Sequence, residues 1–112
     1  MSAIERELTQ LHASVCKGLA DPKRLLIINA LRDGERAVSE LADAAGISQA
    51  NASQHLAVLR EKGLVEDRRN GQWVYYRVTS QKIIQAMDLL REVMADQMPT
   101  SSTPEWTTSI GS

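Results

Sequence analysis

The chain has a single cysteine, Cys16, in 112 residues. One thiol cannot close an intrachain disulfide, and it falls short of any cysteine-only metal framework within one chain. Long apolar runs are missing too: none is longer than Leu25–Ile28, against the roughly 18 residues that a membrane span needs. The opening Met1-Ser2-Ala3-Ile4-Glu5-Arg6-Glu7 mixes charge with apolar residues and lacks both the basic and the apolar region of an export signal, so a cytoplasmic location is expected. Charge of one sign is lacking as well. Thirteen Lys and Arg against fourteen Asp and Glu leave a net charge of −1, which argues against a polybasic coat but leaves room for a local basic patch. No Gly-rich phosphate loop, nucleophile elbow or paired-carboxylate arrangement occurs, so enzymatic function is not expected. A composition of 43% hydrophobic and 24% charged residues is that of one ordinary globular domain.

What is present is a sequence of short periodic segments. Ile4, Leu8, Leu11, Val15 and Leu19 recur at helical intervals and predict a first helix over about residues 3–19. Asp21-Pro22 supplies an N-cap acceptor followed by proline at the first helical position, opening a second helix through Leu25, Ile28 and Leu31 that stops at Asp33-Gly34. A short third helix carries Val38, Leu41, Ala42 and Ala45 and is closed by Gly46. Ser48 then caps a fourth helix with an inward stripe of Ala52, Leu56 and Leu59, ending near Gly63. Two such helices joined by a glycine turn form a helix-turn-helix, in which the second helix is presented to the DNA major groove.

After Leu64-Val65 the period changes. Asn70-Gly71 is the dipeptide favoured in a type I′ turn, and Val74, Tyr76 and Val78 alternate with Trp73, Tyr75 and Arg77, which predicts a two-stranded hairpin. Ile83, Ile84, Met87, Leu90 and Met94 then predict a fifth helix from Ser80 to near Met98-Pro99. The expected fold is therefore mainly α with a β-hairpin: four helices, the hairpin and a fifth helix, a winged helix-turn-helix over residues 1–98. Pro99 to Ser112, rich in Ser, Thr and Pro, is expected to form a disordered tail.

The outer side of the fourth helix carries Ala50, Ser53, Gln54 and Ala57, with Gln49 at its rim, and Ser48 to Leu59 contains no ionic side chain apart from the imidazole of His55. Gln can pair bidentately with adenine, Ser can meet bases or phosphates, and an Ala methyl can meet a thymine methyl. Cationic residues arrive where phosphates would lie: Arg60, Lys62, Arg68, Arg69 and Arg77, with Lys23 and Arg24 at the start of the second helix. Trp73 and Tyr75 share one hairpin face, which suits wing packing or stacking on single strands.

Leu19-Ala20-Asp21-Pro22-Lys23-Arg24-Leu25, Ser48-Gln49, Ser53-Gln54-His55-Leu56, Gly63-Leu64-Val65, Arg68-Arg69-Asn70-Gly71 and Tyr75-Tyr76 together closely resemble the ArsR/SmtB family of bacterial winged-helix repressors, over about residues 10–97. The resemblance implies a homodimer built from the first and fifth helices, binding an imperfect inverted repeat in double-stranded promoter DNA and released by an inducer. It also implies DNA contacts from Gln49, Ser53, Gln54 and His55, with backbone contacts near the wing arginines. Together the two lines of reasoning place Ser48, Gln49, Ala50, Ser53, Gln54, His55, Arg60, Arg68, Arg69 and Asn70 at the DNA. The wide apolar stripes of the first and fifth helices agree with a dimer. The competing class is a winged-helix module that binds protein, or nucleic acid without sequence preference.

The family's metal sites are absent. Its Cys-x-Cys pair in the third helix matches Ala37 and Ser39 here, and its fifth-helix ligand positions match Ser80, Lys82, Val93 and Asp96, a set that cannot supply the roughly four N, S or O ligands that zinc requires. His12 and Cys16 remain, one helical turn apart. They read either as a small packed cysteine beside a surface histidine, or as a sensor in which Cys16 takes a metal ion or a thiol modification.

Overall fold

The Asp21 side chain fixes where the second helix begins: its carboxylate accepts the backbone N–H groups of Lys23 (2.8 Å) and Arg24 (3.3 Å), satisfying two of the donors that a helix start leaves unpaired. In the computed structural model, which describes residues 2–97, this cap opens α2 (Pro22–Ala30) with proline in its first turn. Before it, α1 (Ala3–Leu11) runs from its Ser2 cap into a π-helical turn, His12–Cys16, and returns to α-helix through Gly18. After it come α3 (Val38–Ala45), α4 (Gln49–Glu61) and α5 (Gln81–Asp96). Three strands, β1 (Arg36–Ala37), β2 (Val65–Asn70) and β3 (Trp73–Val78), form an antiparallel sheet in the order β1-β3-β2. The expected winged helix-turn-helix is present, and no helix among the described residues is long and apolar enough to cross a membrane.

Gly46 ends α3 in the left-handed conformation (φ 68°, ψ 37°), and the Ile47 N–H reaches back to the Ala42 carbonyl at 3.0 Å. That geometry needs a residue without a Cβ penalty and turns the chain into α4 within three residues. Ser48 caps α4 by accepting the Asn51 N–H at 3.1 Å. Ala52, Leu56 and Leu59 are fully buried, as their spacing predicts, in one core with Ile27, Ile28, Leu31 and Leu41.

Several details differ from the sequence expectation. The buried residues of α2 are Ile27 and Ile28, whereas Leu25 stays exposed; in a run of four apolar residues periodicity cannot choose the inward face, and packing against α3 and α4 does. Regular α-helical bonding ends at Ala30, three residues before Asp33, where Leu31 and Arg32 donate to Ile28 and Asn29 in a tightened turn. The strand β1 was not anticipated, because a two-residue strand has no period. The hairpin pairs Asn70 with Trp73, so its two-residue loop is Gly71-Gln72 rather than Asn70-Gly71. Gly71 alone has positive φ (64°) there, the pattern of a type II′ turn rather than I′. The tail from Pro99 onward lies outside the described residues.

The apolar stripe of the first helix also divides. Val15 and Leu19 pack on the core, whereas Ile4, Leu8 and Leu11 are exposed, Leu8 by 55%. Val15 lies within the π turn and Leu19 beyond it, and the extra residue per turn shifts the helix phase by roughly 100°. In α5, Ile84 is buried and Ile83 and Met87 pack beside it, while Leu89, Leu90, Val93 and Met94 face outward. The C-terminal end of α2 is tied to α5 by a two-pronged Arg32–Asp88 ion pair with both contacts at 2.8 Å.

Two outcomes test this packing. Leu56→Ala removes a fully buried side chain and is expected to lower unfolding free energy by about 2–5 kcal/mol, measured by urea denaturation. The Asp88 carboxyl is held below the ordinary carboxylate range chiefly by its hydrogen bonds from Arg32, so its contribution is complete above the ordinary carboxylate pKa and is lost as pH falls through the depressed value. The stability difference between the native chain and Asp88→Asn is therefore expected to shrink towards zero in acid; a pH-independent difference would contradict the assignment.

Candidate nucleic-acid interface

The outer face of α4 follows from its inner one. Gln54 lies two positions after Ala52 and two before Leu56, about 160–200° round the helix from both, and it is exposed together with Gln49, Ala50, Ser53 and Ala57. Ser48, also exposed, spends its hydroxyl oxygen on the Asn51 N–H. The result is an uncharged ridge of amide, hydroxyl and methyl groups on a helix end whose N–H dipoles favour anions.

His55 is placed differently from Gln54. Beside the core stripe rather than opposite it, the ring is half-buried and its Nδ1 lies 3.4 Å from Nη1 of Arg24. The same guanidinium donates from Nε to the Gly18 carbonyl (2.7 Å) and from Nη2 to the Lys17 carbonyl (3.2 Å). Lys23 meanwhile donates to the Ala45 carbonyl at 3.1 Å, capping α3. The two cations at the start of α2 therefore close helix ends inside the protein. Burial pushes the Asp21 carboxyl up, but the Lys23 and Arg24 N–H bonds, with His55 and Arg24 nearby, hold it below the ordinary range.

Strand alternation sorts the wing charges. Arg68, paired with Tyr75, and Glu66, paired with Arg77, lie on the outer face; Asp67, paired with Tyr76, and Arg69, paired with Val74, lie on the face that carries the buried Val65 and Val78. Three of the five expected phosphate-seeking cations already have carboxylate partners: Arg60 with Asp67 at 3.4 Å, Arg68 with Glu35 at 2.5 Å, and Arg77 with Glu66 at 2.6 Å. Arg69 and Lys62 make no ion pair among the described residues. Arg69 shares its face with Asp67, the residue that meets Arg60 of α4, so its charge lies on the α4 side of the hairpin. Asn70 is exposed at the hairpin end opposite Trp73, itself 52% exposed. Tyr76 packs on the core, and burial pushes its phenol up, with Asp67 adding to the shift.

Cys16 and His12 are both exposed on the π turn. No group of three or more His, Cys, Asp and Glu side chains among the described residues is arranged to hold a metal ion. The two residues that sequence reasoning missed are Glu35 and Arg24 in their structural roles. Glu35 carried no readable signal, since its partner is 33 residues away; Arg24 stood inside a motif that drew attention for its charge rather than its hydrogen bonds.

Residues 21–67 match the family model described as bacterial regulatory protein, arsR family. The chain is 41% identical over 85 residues to the biofilm growth-associated repressor of Xylella fastidiosa, covering 76% of this chain and 75% of that protein. Among solved structures it is similar to NolR from Sinorhizobium fredii, with a TM-score of 0.70, 38% identity and coverage of 83% and 93% of the two chains. It is also similar to the homodimeric winged helix-turn-helix DNA-binding domain Mb0332 from Mycobacterium bovis, with a TM-score of 0.71, 38% identity and coverage of 87% and 89%.

Proposed function

The chain belongs to the arsR family of bacterial regulatory proteins, and from that premise we propose that it is a homodimeric transcriptional repressor that binds inverted-repeat promoter DNA through α4 and the wing. The observation that carries this reading is the uncharged, exposed ridge of Gln49, Ala50, Ser53 and Gln54 on the second helix of a helix-turn-helix. Such groups discriminate base edges, whereas a merely solvated helix face would carry Glu and Lys. Gln54, at the centre of the ridge, reads a base, and Arg69, with no carboxylate partner among the described residues, meets the phosphate backbone.

A dimer supplies what one chain lacks. Ile4, Leu8 and Leu11 on α1 and Leu89, Leu90, Val93 and Met94 on α5 leave large side chains in water, and an apolar surface of that kind marks an association face. A two-fold axis through it would set two α4 helices about 34 Å apart, one turn of B-DNA. Linking two half-site contacts in this way raises affinity by about 10²–10⁴ over one alone.

Three measurements test these assignments. Fluorescence anisotropy with an inverted-repeat fragment from the chain's own promoter region is expected to show salt-sensitive binding that exceeds binding to scrambled DNA; equal affinity for both would favour a non-specific module. In the same assay Gln54→Ala is expected to lose discrimination, while Arg69→Ala weakens binding to all sequences alike and lowers the salt slope by about one per protomer. Leu90→Glu, at a position 65% exposed in the single chain, is expected to keep its circular dichroism, sediment as a monomer and lose about 10²–10⁴-fold in affinity. A variant that stays dimeric would move the interface elsewhere.

A further inference from the structure

Glu35 stands immediately before β1, at the point where the chain leaves the α2 turn for the sheet. Its two carboxylate oxygens accept from one edge of a single guanidinium: Arg68 Nη2 at 2.5 Å and Arg68 Nε at 3.2 Å. The fork geometry fixes orientation as well as distance. The guanidinium also lies over the Tyr75 ring, 4.9 Å from its centroid, and Tyr75 is the β3 residue that pairs with Arg68 on one side and with Ala37 of β1 on the other. One side chain from the outer strand of the wing thus crosses β3, stacks on it, and is held by the residue next to β1.

That connection reaches the recognition unit directly. β1 ends at Ala37 and α3 begins at Val38, with no residue between them. On the opposite hairpin face Arg60, in the last turn of α4, meets Asp67 of β2 at 3.4 Å. The wing is therefore held to the helix-turn-helix from both faces, by Glu35 just ahead of β1 and α3 and by Arg60 at the end of α4.

We propose that Glu35 and Arg68 are positioning residues for DNA binding, which set the angle of the wing against α3 and α4, and that Arg68 acts through this clamp rather than on a phosphate. The proposal rests on the DNA-binding reading above, and divides the adjacent pair Arg68-Arg69 into a clamp residue and a phosphate contact. The Glu35 carboxyl is held below the ordinary carboxylate range, first by its hydrogen bonds from Arg68 and then by the charges of Arg68 and Arg77, so the pair is ionised throughout the neutral range.

The test uses the full chain with Glu35→Gln, Arg68→Gln and the exchanged pair Glu35→Arg/Arg68→Glu. Both single variants are expected to quicken hydrogen exchange at β2 and β3 amides in the absence of DNA. Both should weaken binding to the inverted repeat and to scrambled DNA by a similar factor, roughly 3- to 20-fold since a dimer loses two exposed pairs, with the salt slope unchanged. The exchanged pair should recover part of the loss. Three results would overturn the proposal: a salt slope lowered by about one per protomer in Arg68→Gln, the mark of a lost phosphate contact; tighter binding by Glu35→Gln, the mark of a guanidinium released to DNA; or unaltered exchange at the hairpin. If the native chain shows no preference for the inverted repeat, the repressor reading fails, while the exchange measurement still decides whether the clamp exists.

Discussion

The Arg24 guanidinium is the contact on which the arrangement of helices depends. A helix leaves its last carbonyls unpaired, and Arg24 closes those of Lys17 and Gly18 at the end of the first helix while resting against His55 of α4. The approach at this point is close, and glycine accommodates it. A Cβ on Gly18 would lie 2.5 Å from Leu64 Cδ1, so any side chain at residue 18 would force the Leu64 methyl to move. With Lys23 closing the end of α3 and Asp21 the start of α2, four consecutive residues join three helix termini. A chain with few buried aromatic side chains and an all-aliphatic buried core gains from these directional bonds an orientation that burial alone does not specify.

This arrangement redistributes the charge read from the sequence. Lys23, Arg24, Arg60, Arg68 and Arg77 all have partners inside the protein. The surface proposed to meet DNA is thus mostly uncharged, and electrostatic attraction is concentrated in few positions. A binder of this type draws less of its affinity from counterion release and more from base contacts and from doubling of the half-site.

The helices of the recognition unit were legible because their signals are local. Gly46, Ser48 and the Ala52, Leu56, Leu59 stripe each depend on neighbours within one or two turns, and each has its expected role. What was not legible depends on distant partners or on a choice among equal local options. Periodicity could not select Ile27 over Leu25, could not give β1 a signal in two residues, and could not place the hairpin loop at Gly71-Gln72, because Asn70 is compatible with either register. At the proposed interface the residue types of α4 were readable, whereas the pairing of Arg68 with Glu35 joins segments 33 residues apart. His55 shows the same limit: its place at the rim of the stripe follows from the helical spacing of α4, but its contact with Arg24 joins residues 31 apart.

The π turn at His12–Cys16 acts as a phase adjuster between two surfaces. From Val15 within it onward the chain is indexed to the core, through Val15 and Leu19, and the helix before it presents Ile4, Leu8 and Leu11 outward. In a homodimer held through that outward stripe, the number of residues in this turn sets the azimuth of one protomer about the other, and with it the rotational setting of the two α4 helices on the duplex. A one-residue gain or loss there re-aims the pair without altering any residue that touches DNA, so half-site spacing is encoded in helix length as well as in the recognition surface.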